Sequence, residues 1–229
     1  MRRAILIAAI LTFVVSVAAF PATVSSSAFT SDADGWATSG WRATDYGYGT
    51  MDWVSSGGNP GGVMQCNGAG GTDNDDYANR EGGEIQKTIS TVGFSGITVS
   101  YDLKCLRSIY DYYLSGQPVV DHGLVEEQLT IFYSTNGGSA WTEATYLNLD
   151  TLKGYTSYGT RTVDLSGITA ADNNASFALR FRWQFNNTED FGYLDNIVVS
   201  GAPVPEPSSL LAFGVFGIGA LGFIRRRRA

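Results

Sequence analysis

Residues 29–202 of this chain predict an all-β fold, a single antiparallel β-sandwich, and three observations carry that prediction. Several segments alternate apolar and polar residues with a period of two, the mark of a strand with one buried face. No amphipathic run is long enough for a helix of several turns. Glycine, serine, threonine and aromatic residues are abundant, as expected of short strands joined by many turns. The span is the size of one ordinary domain and long enough to bury a sizeable core.

The first 28 residues read as an address rather than as fold. Met1, Arg2 and Arg3 precede an apolar run over residues 4–17. The positive start stays on the cytoplasmic side while the short run enters the membrane, the design of a secretory signal peptide. Cleavage after Ala19 puts Val17 and Ala19 at the two small-residue positions; cleavage after Ala28 puts Ser26 and Ala28 there. An uncleaved anchor is the alternative, against which the run is short for a full span.

The strands follow. Residues 84–90 are a candidate. Ile97, Val99, Tyr101 and Leu103 then alternate with Thr98, Ser100, Asp102 and Lys104. Leu129, Ile131 and Tyr133 alternate with Thr130 and Phe132, and residues 141–147 and 160–165 are further candidates. Phe177, Leu179, Phe181, Trp183 and Phe185 put five large apolar side chains on one face, with Ala178, Arg180, Arg182 and Gln184 on the other. That strand should be central. A last strand covers residues 193–200. Between two of these runs, Ser134-Thr135-Asn136-Gly137-Gly138-Ser139-Ala140-Trp141 reads as a hairpin tip, because Asn-Gly suits positive φ. It resembles an Asp-box turn with Asn136 at the usual Asp position. The motif occurs once, so no propeller follows from it.

Residues 203–229 form a second address. Pro205-Glu206-Pro207 breaks any structure leaving the domain, residues 210–224 are apolar, and Arg225, Arg226, Arg227 and Arg228 follow. As a helix the apolar run spans about 22 Å, short of the roughly 30 Å hydrocarbon core, and the arginines can snorkel to headgroups. They should stay in the cytoplasm, which leaves the domain outside. This order of motif, span and Arg block resembles the PEP-CTERM sorting signal of Gram-negative bacteria that make exopolysaccharide. The resemblance implies processing near Pro205, Glu206 and Pro207 by an exosortase, a membrane cysteine protease, after passage through the export machinery and a transient stay in the inner membrane. A permanent single-span anchor is the alternative. The destination implied is the cell envelope, cell surface or extracellular matrix.

The middle of the chain also resembles exported jelly-roll domains of the MAM-like and carbohydrate-binding-module-like kind. The likeness rests on residues 29–36, Asn136-Gly137-Gly138 before Trp141, Val163-Asp164-Leu165-Ser166, the Arg180/Arg182 strand and Tyr193-Leu194-Asp195-Asn196-Ile197. Related jelly rolls often hold a structural calcium between the N-terminal segment and the last strand. The resemblance therefore points to Asp32, Asp34 and Asp195 as ligands, since calcium takes six to eight hard oxygens. The other reading is that Asp32 and Asp34 shape a turn and Asp195 caps a strand. A second oxygen-rich stretch, Asp73-Asn74-Asp75-Asp76, lacks the remaining EF-hand positions and reads as a solvated loop.

The chain's net charge is −7, but six arginines lie in the two addresses, so the middle is more acidic, at about −12. That excludes nucleic acid as a partner, because phosphate contacts need Lys and Arg. Cys66 and Cys105 show no metal-site spacing; in an exported domain they form one disulfide or stay as two buried thiols. For carbohydrate, sugar rings stack on exposed aromatics aided by a few polar groups. Trp41, Tyr46, Tyr48 and Trp53 lie in a glycine-rich stretch with poor alternation. Tyr110, Tyr112 and Tyr113 lie in a long loop over residues 107–123, the best single candidate. Asp102, Lys104, Arg180, Arg182 and Gln184 point away from the core and would make a polar floor if their strands are close. Catalysis finds little support. His122 is the only histidine, no HExxH or GxSxG occurs, and no pattern singles out Glu126, Glu127 or Glu143 as a carboxylate pair. The expectation is a non-enzymatic surface or matrix protein, with a carbohydrate-binding module for the cell's own exopolysaccharide next, and a polysaccharide hydrolase or lyase after that. No cofactor is required by this reading.

Overall fold

The computed structural model describes residues 20–42, 49–67, 81–106, 128–152, 154–185 and 190–205. The strands in them are β1 (Ala22–Ser27), β2 (Ala37–Arg42), β3 (Thr50–Gly58), β4 (Gly61–Asn67), β5 (Glu81–Ile89), β6 (Phe94–Leu106), β7 (Gln128–Ser134), β8 (Thr142–Asn148), β9 (Gly159–Asp164), β10 (Phe177–Gln184) and β11 (Phe191–Pro203). They form two antiparallel sheets. One runs β3-β4-β11-β6-β9, with β1 also paired to β11; the other runs β2-β5-β10-β7-β8. The chain crosses repeatedly from one sheet to the other, so strands remote in sequence become neighbours.

The two sheets meet over the residues that the alternation marks. Phe177, Leu179, Phe181, Trp183 and Phe185 are buried against Ile97, Val99, Tyr101 and Leu103. The Tyr101 and Phe181 rings meet edge to face, 5.1 Å apart at 74°, which suits their quadrupoles. β10 lies in the middle of the five-stranded sheet, as its five apolar side chains require. The hairpin tip between β7 and β8 is also as expected. Positive φ falls on Gly137 and Gly138 (70° and 89°), while the Asn136 side chain accepts from the Ala140 N–H.

Three strands appear where alternation is absent, and each has a local reason. β4 buries Gly62, Val63, Met64 and Cys66, so it carries no two-residue rhythm. β3 dissolves into Ser55, Ser56, Gly57 and Gly58 before a cis Asn59-Pro60 turn. β2 reads Ala-Thr-Ser-Gly-Trp-Arg, with one large apolar side chain in six.

The sandwich also begins earlier than residue 29. β1 lies inside the span read as signal, and its residues from Ala22 to Ser27 pair with Gly201 to Ile197. Ser27 is buried, and its hydroxyl accepts from Trp36 Nε1 at 3.0 Å and from Lys87 Nζ at 3.3 Å. A strand of small residues carries no apolar signature to reveal it. At the other end β11 runs to Pro203, and the Val204 N–H still donates to Gly93 O.

The disulfide reading is corrected. Cys66 on β4 and Cys105 on β6 both sit opposite Gly192 of β11, one on each side of it. Two inter-strand spacings put them roughly 10 Å apart, beyond the ~7 Å Cα limit for a bridge. Both side chains are buried, and no disulfide joins them. Gly192 is small for a reason: a Cβ there would stand 2.4 Å from the Trp183 ring. Burial pushes the Cys66 thiol far up from its ordinary pKa, which keeps it unreactive.

Candidate functional site

The side chains of β10 that turn away from the core meet complementary neighbours on both sides. In register, Arg180 lies between Gln86 of β5 and Phe132 of β7, and Arg182 between Glu84 and Thr130. Arg182 donates through Nε to Glu84 Oε2 at 2.8 Å, with Nη2 at the same distance. Arg180 Nη2 donates to Gln86 Oε1 at 3.0 Å, and its Nη1 lies 3.7 Å from Glu84. Ser39 of β2 donates to the other Glu84 oxygen. Both guanidinium groups lie over aromatic rings: Arg180 at 4.1 Å from the Trp141 centroid and Arg182 at 5.3 Å from that of Phe132. Tyr146 on β8 extends the face outward and is 53% exposed.

Beside Arg180 the face dips into a trough of about 240 Å³ lined by Trp141, Gly137, Gly138, Gln86, Ala178 and Ala37. Burial holds the Arg180 guanidinium below the usual arginine range; Glu84 opposes that shift and Arg182 adds to it. Arg180 Nε and Trp141 Nε1 are covered and have no hydrogen-bond partner. Two donors and two aromatic planes thus converge at one end of the five-stranded sheet.

The single polar floor expected from the sequence splits in two. Asp102 and Lys104 belong to β6 in the six-stranded sheet, so they occupy the opposite outer face from Arg180, Arg182 and Gln184. There Lys104 Nζ lies 4.4 Å from the Tyr193 ring centre and 5.1 Å from that of Tyr158. Beneath them Asp102 and Asp195 are cross-strand partners. Asp102 accepts from Thr160 Oγ1 (2.5 Å), Asn196 Nδ2 (2.9 Å) and Asn59 Nδ2 (3.3 Å). Asp195 accepts from the Asn59 and Asn196 N–H groups. Asn196 stands in the left-handed region (φ 47°) at a register shift of β11, and its amide also reaches Asn59 O. The β3–β4 turn is thereby bolted onto the central strand. Asp195 is fully buried and Asp102 nearly so, so the pair serves the interior of this network.

The proposed calcium ligands come from two parts of the chain, and the Asp34 charge lies near enough to Asp195 to raise its pKa. Asp34 accepts from the Phe29 N–H and Asp32 from the Asp34 N–H, so both shape the turn after β1. Asp195 serves the network just described, inside a strand rather than at its end. Among the described residues no group of three or more His, Cys, Asp or Glu could hold a metal ion. Trp53, weighed for sugar stacking, is part-buried and donates to Phe29 O.

Tyr110, Tyr112 and Tyr113 lie outside the described residues, as do Tyr46, Tyr48, residues 73–76, His122, Glu126, Glu127 and residues 206–229. Among the described residues no helix is long and apolar enough to cross a membrane. Trp141, Phe132, Gln86 and Glu84 were missed as site residues. The signal for Phe132 was present: it is an aromatic at an outward position of an alternating strand.

Residues 203–228 match the PEP-CTERM protein-sorting motif. No curated protein sequence matches the chain. Among solved structures, the K3 cleaved adhesin domain of Lys-gingipain from Porphyromonas gingivalis is similar at 14% identity and a TM-score of 0.50, covering 79% of this chain and 99% of its own. The CBM22-1 xylan-binding domain of Paenibacillus barcinonensis Xyn10C is similar at 10% identity and a TM-score of 0.45, covering 80% and 97%. A family 29 carbohydrate-binding module is similar at 16% identity and a TM-score of 0.41, covering 84% and 97%. At these identities the likeness is one of fold. The chain carries a PEP-CTERM sorting motif behind a two-sheet β-sandwich.

Proposed function

We propose that this is an exported, non-enzymatic surface protein that holds polysaccharide on the outer face of its five-stranded sheet. The motif match at the C-terminus supports export and surface sorting. In this reading an exosortase-type protease acts near Pro205, Glu206 and Pro207, and Arg225 to Arg228 hold the tail's end in the cytoplasm until release. The observation that carries the binding function is the pairing of cations with aromatic planes beside the trough: Arg180 on Trp141 and Arg182 on Phe132. Aromatic planes offer apolar area to sugar C–H faces, and fixed guanidinium and amide groups offer hydrogen bonds to hydroxyls.

The structure also bears on where the signal is removed. Cleavage after Ala28 would strip β1 from β11 and leave Trp36 Nε1 without its Ser27 acceptor. Cleavage after Ala19 keeps the strand. Mass spectrometry of the surface form should find Phe20 at the start and no Arg228 at the end; an intact Arg228 there would mean a permanent anchor. For binding, the 20–204 fragment is applied to immobilised exopolysaccharide and to an array of bacterial glycans. Retention that Trp141→Ala abolishes is the expected result, and no retention on any polymer would end the binding proposal.

A further inference from the structure

Five large apolar side chains are exposed among the described residues: Phe20 (87%), Val92 (54%), Tyr146 (53%), Val204 (42%) and Leu106 (39%). Three of the five lie together. The Val204 N–H donates to Gly93 O, which sets Val204 beside the turn that carries Val92. Phe20 precedes Ala22, and Ala22 pairs with Gly201 of β11. All three therefore crowd the end of the sandwich from which the chain departs toward its tail.

That end is also nearly free of charge. Its turns, residues 90–96, 134–140 and 164–176, contain no Lys or Arg and only two acids, Asp164 and Asp172. Hydrogen bonds tie these turns into one surface: Thr91 N–H to Asn174 O, Gly137 N–H to Ser176 O, and Gly96 N–H to Asp172 Oδ1. In a domain with a large negative balance, this is the surface that can approach anionic headgroups with least repulsion.

The tether leaves little slack. From Val204 to Leu210, where the apolar run begins, six residues span at most about 20 Å, and the headgroup layer takes up roughly 5–8 Å of that. Once the signal is cut after Ala19 the chain starts at Phe20, and because β1 and β11 are antiparallel partners that start lies at the end from which the tail leaves.

We propose that, while the tail is in the bilayer, this end of the sandwich docks on the lipid surface, with Phe20, Val92 and Val204 seated among the headgroups. The inference rests on the membrane reading of the tail. Three side chains would hold a free domain only weakly, but the short tether makes the contact intramolecular, where an effective concentration near millimolar lets a weak contact persist. Docking fixes the body's orientation. β11 stands roughly 40 Å tall from Pro203 to Phe191, and the Arg180/Trp141 trough, lined in part by Gly137 and Gly138 of one of these turns, opens sideways next to the lipid surface.

The test uses the chain as it stands after signal removal, from Phe20 with its tail intact, in vesicles of phosphatidylethanolamine and phosphatidylglycerol. An environment-sensitive dye is attached at Val92→Cys or, for comparison, at Leu106→Cys, which pairs with Phe191 at the far end of β11. The native thiols are buried and should not take the label. Nitroxide-bearing lipids should quench the dye at 92 several-fold and leave the dye at 106 bright, and Val204→Asp should restore most of the signal at 92. If the chain floats with the vesicles but the dye at 92 is as bright as that at 106, docking is overturned and the tail reading stands. If the chain does not float with vesicles at all, both are overturned.

Discussion

The outer faces of the two sheets use similar residues to opposite ends. On the six-stranded sheet, Lys104 is clasped between Tyr158 and Tyr193, and Asp102 and Asp195 have their oxygens matched to Asn59, Asn196 and Thr160. Burial pushes the Tyr158 hydroxyl well above its ordinary pKa, and the nearby Asp195 and Asp102 charges add to it, so it stays a donor, here to Gly57 O. On the five-stranded sheet, the charges pair at the surface while Arg180 Nε and Trp141 Nε1 keep unmatched donors beside a trough. Charge on a sheet's outer face is therefore no sign of binding by itself. What separates fastening from recognition is whether donors and acceptors are already used.

The sharpest way to break this contrast is to remove one group from each face. Asp102→Ala takes the shared acceptor from Thr160 and from the Asn59 and Asn196 amides, in a place water reaches poorly. Urea unfolding should show a loss of about 2–3 kcal/mol, the usual cost of stranding buried donors. A loss below about 0.5 kcal/mol, ordinary for a surface change, would show that the network fastens nothing. Exposed Tyr146→Ala should fall within that small range.

The second prediction concerns binding without stability. Arg180→Gln keeps a donor and most of the length but loses the cation above Trp141. It should weaken polysaccharide retention by about tenfold, near 1.4 kcal/mol, while the unfolding midpoint moves little. Lys104→Gln, on the fastened face, should leave retention unchanged. Equal loss from both variants would point to non-specific charge attraction and erase the distinction between the faces.

How far the sequence anticipated this contrast follows from what periodicity can encode. The run from Phe177 to Phe185 shows which side chains face the core, and β10 lies at the centre of its sheet as that pattern implies. Alternation is silent about which sheet a strand joins, so Lys104 and Arg180 looked alike although they point in opposite directions. It is equally silent about how many strands separate two residues, which is why Cys66 and Cys105 read as a plausible pair until Gly192 was found between them. β1 and β2 escaped because small polar residues fill them, and β4 because it buries consecutive positions. The sorting tail was legible because its order of motif, span and charge is written in linear sequence.

The smallest expected effect is a pH dependence confined to the fastened face. Burial is the main cause of the raised pKa of Asp195; the Asn59 and Asn196 N–H groups oppose it, and the charges of Asp102 and Asp34 add to it. An unfolded aspartate titrates near about pH 4. The folded chain keeps its proton to higher pH, so folding takes up a proton between the two values. The stability tied to protonated Asp195 is then fully present below about pH 4 and is lost as pH rises through the folded value. Asp195→Asn removes this titration while keeping the side chain's shape. The unfolding free energy of the parent minus that of the variant should therefore decline as pH is raised from 4 to 7. On the open face, Arg180→Gln should show a flat difference over the same range, since an arginine does not titrate there. A difference for Asp195→Asn that rises with pH would mean the N–H donors outweigh burial, and would turn the carboxylate from a group held against its charge into an anchor that depends on it.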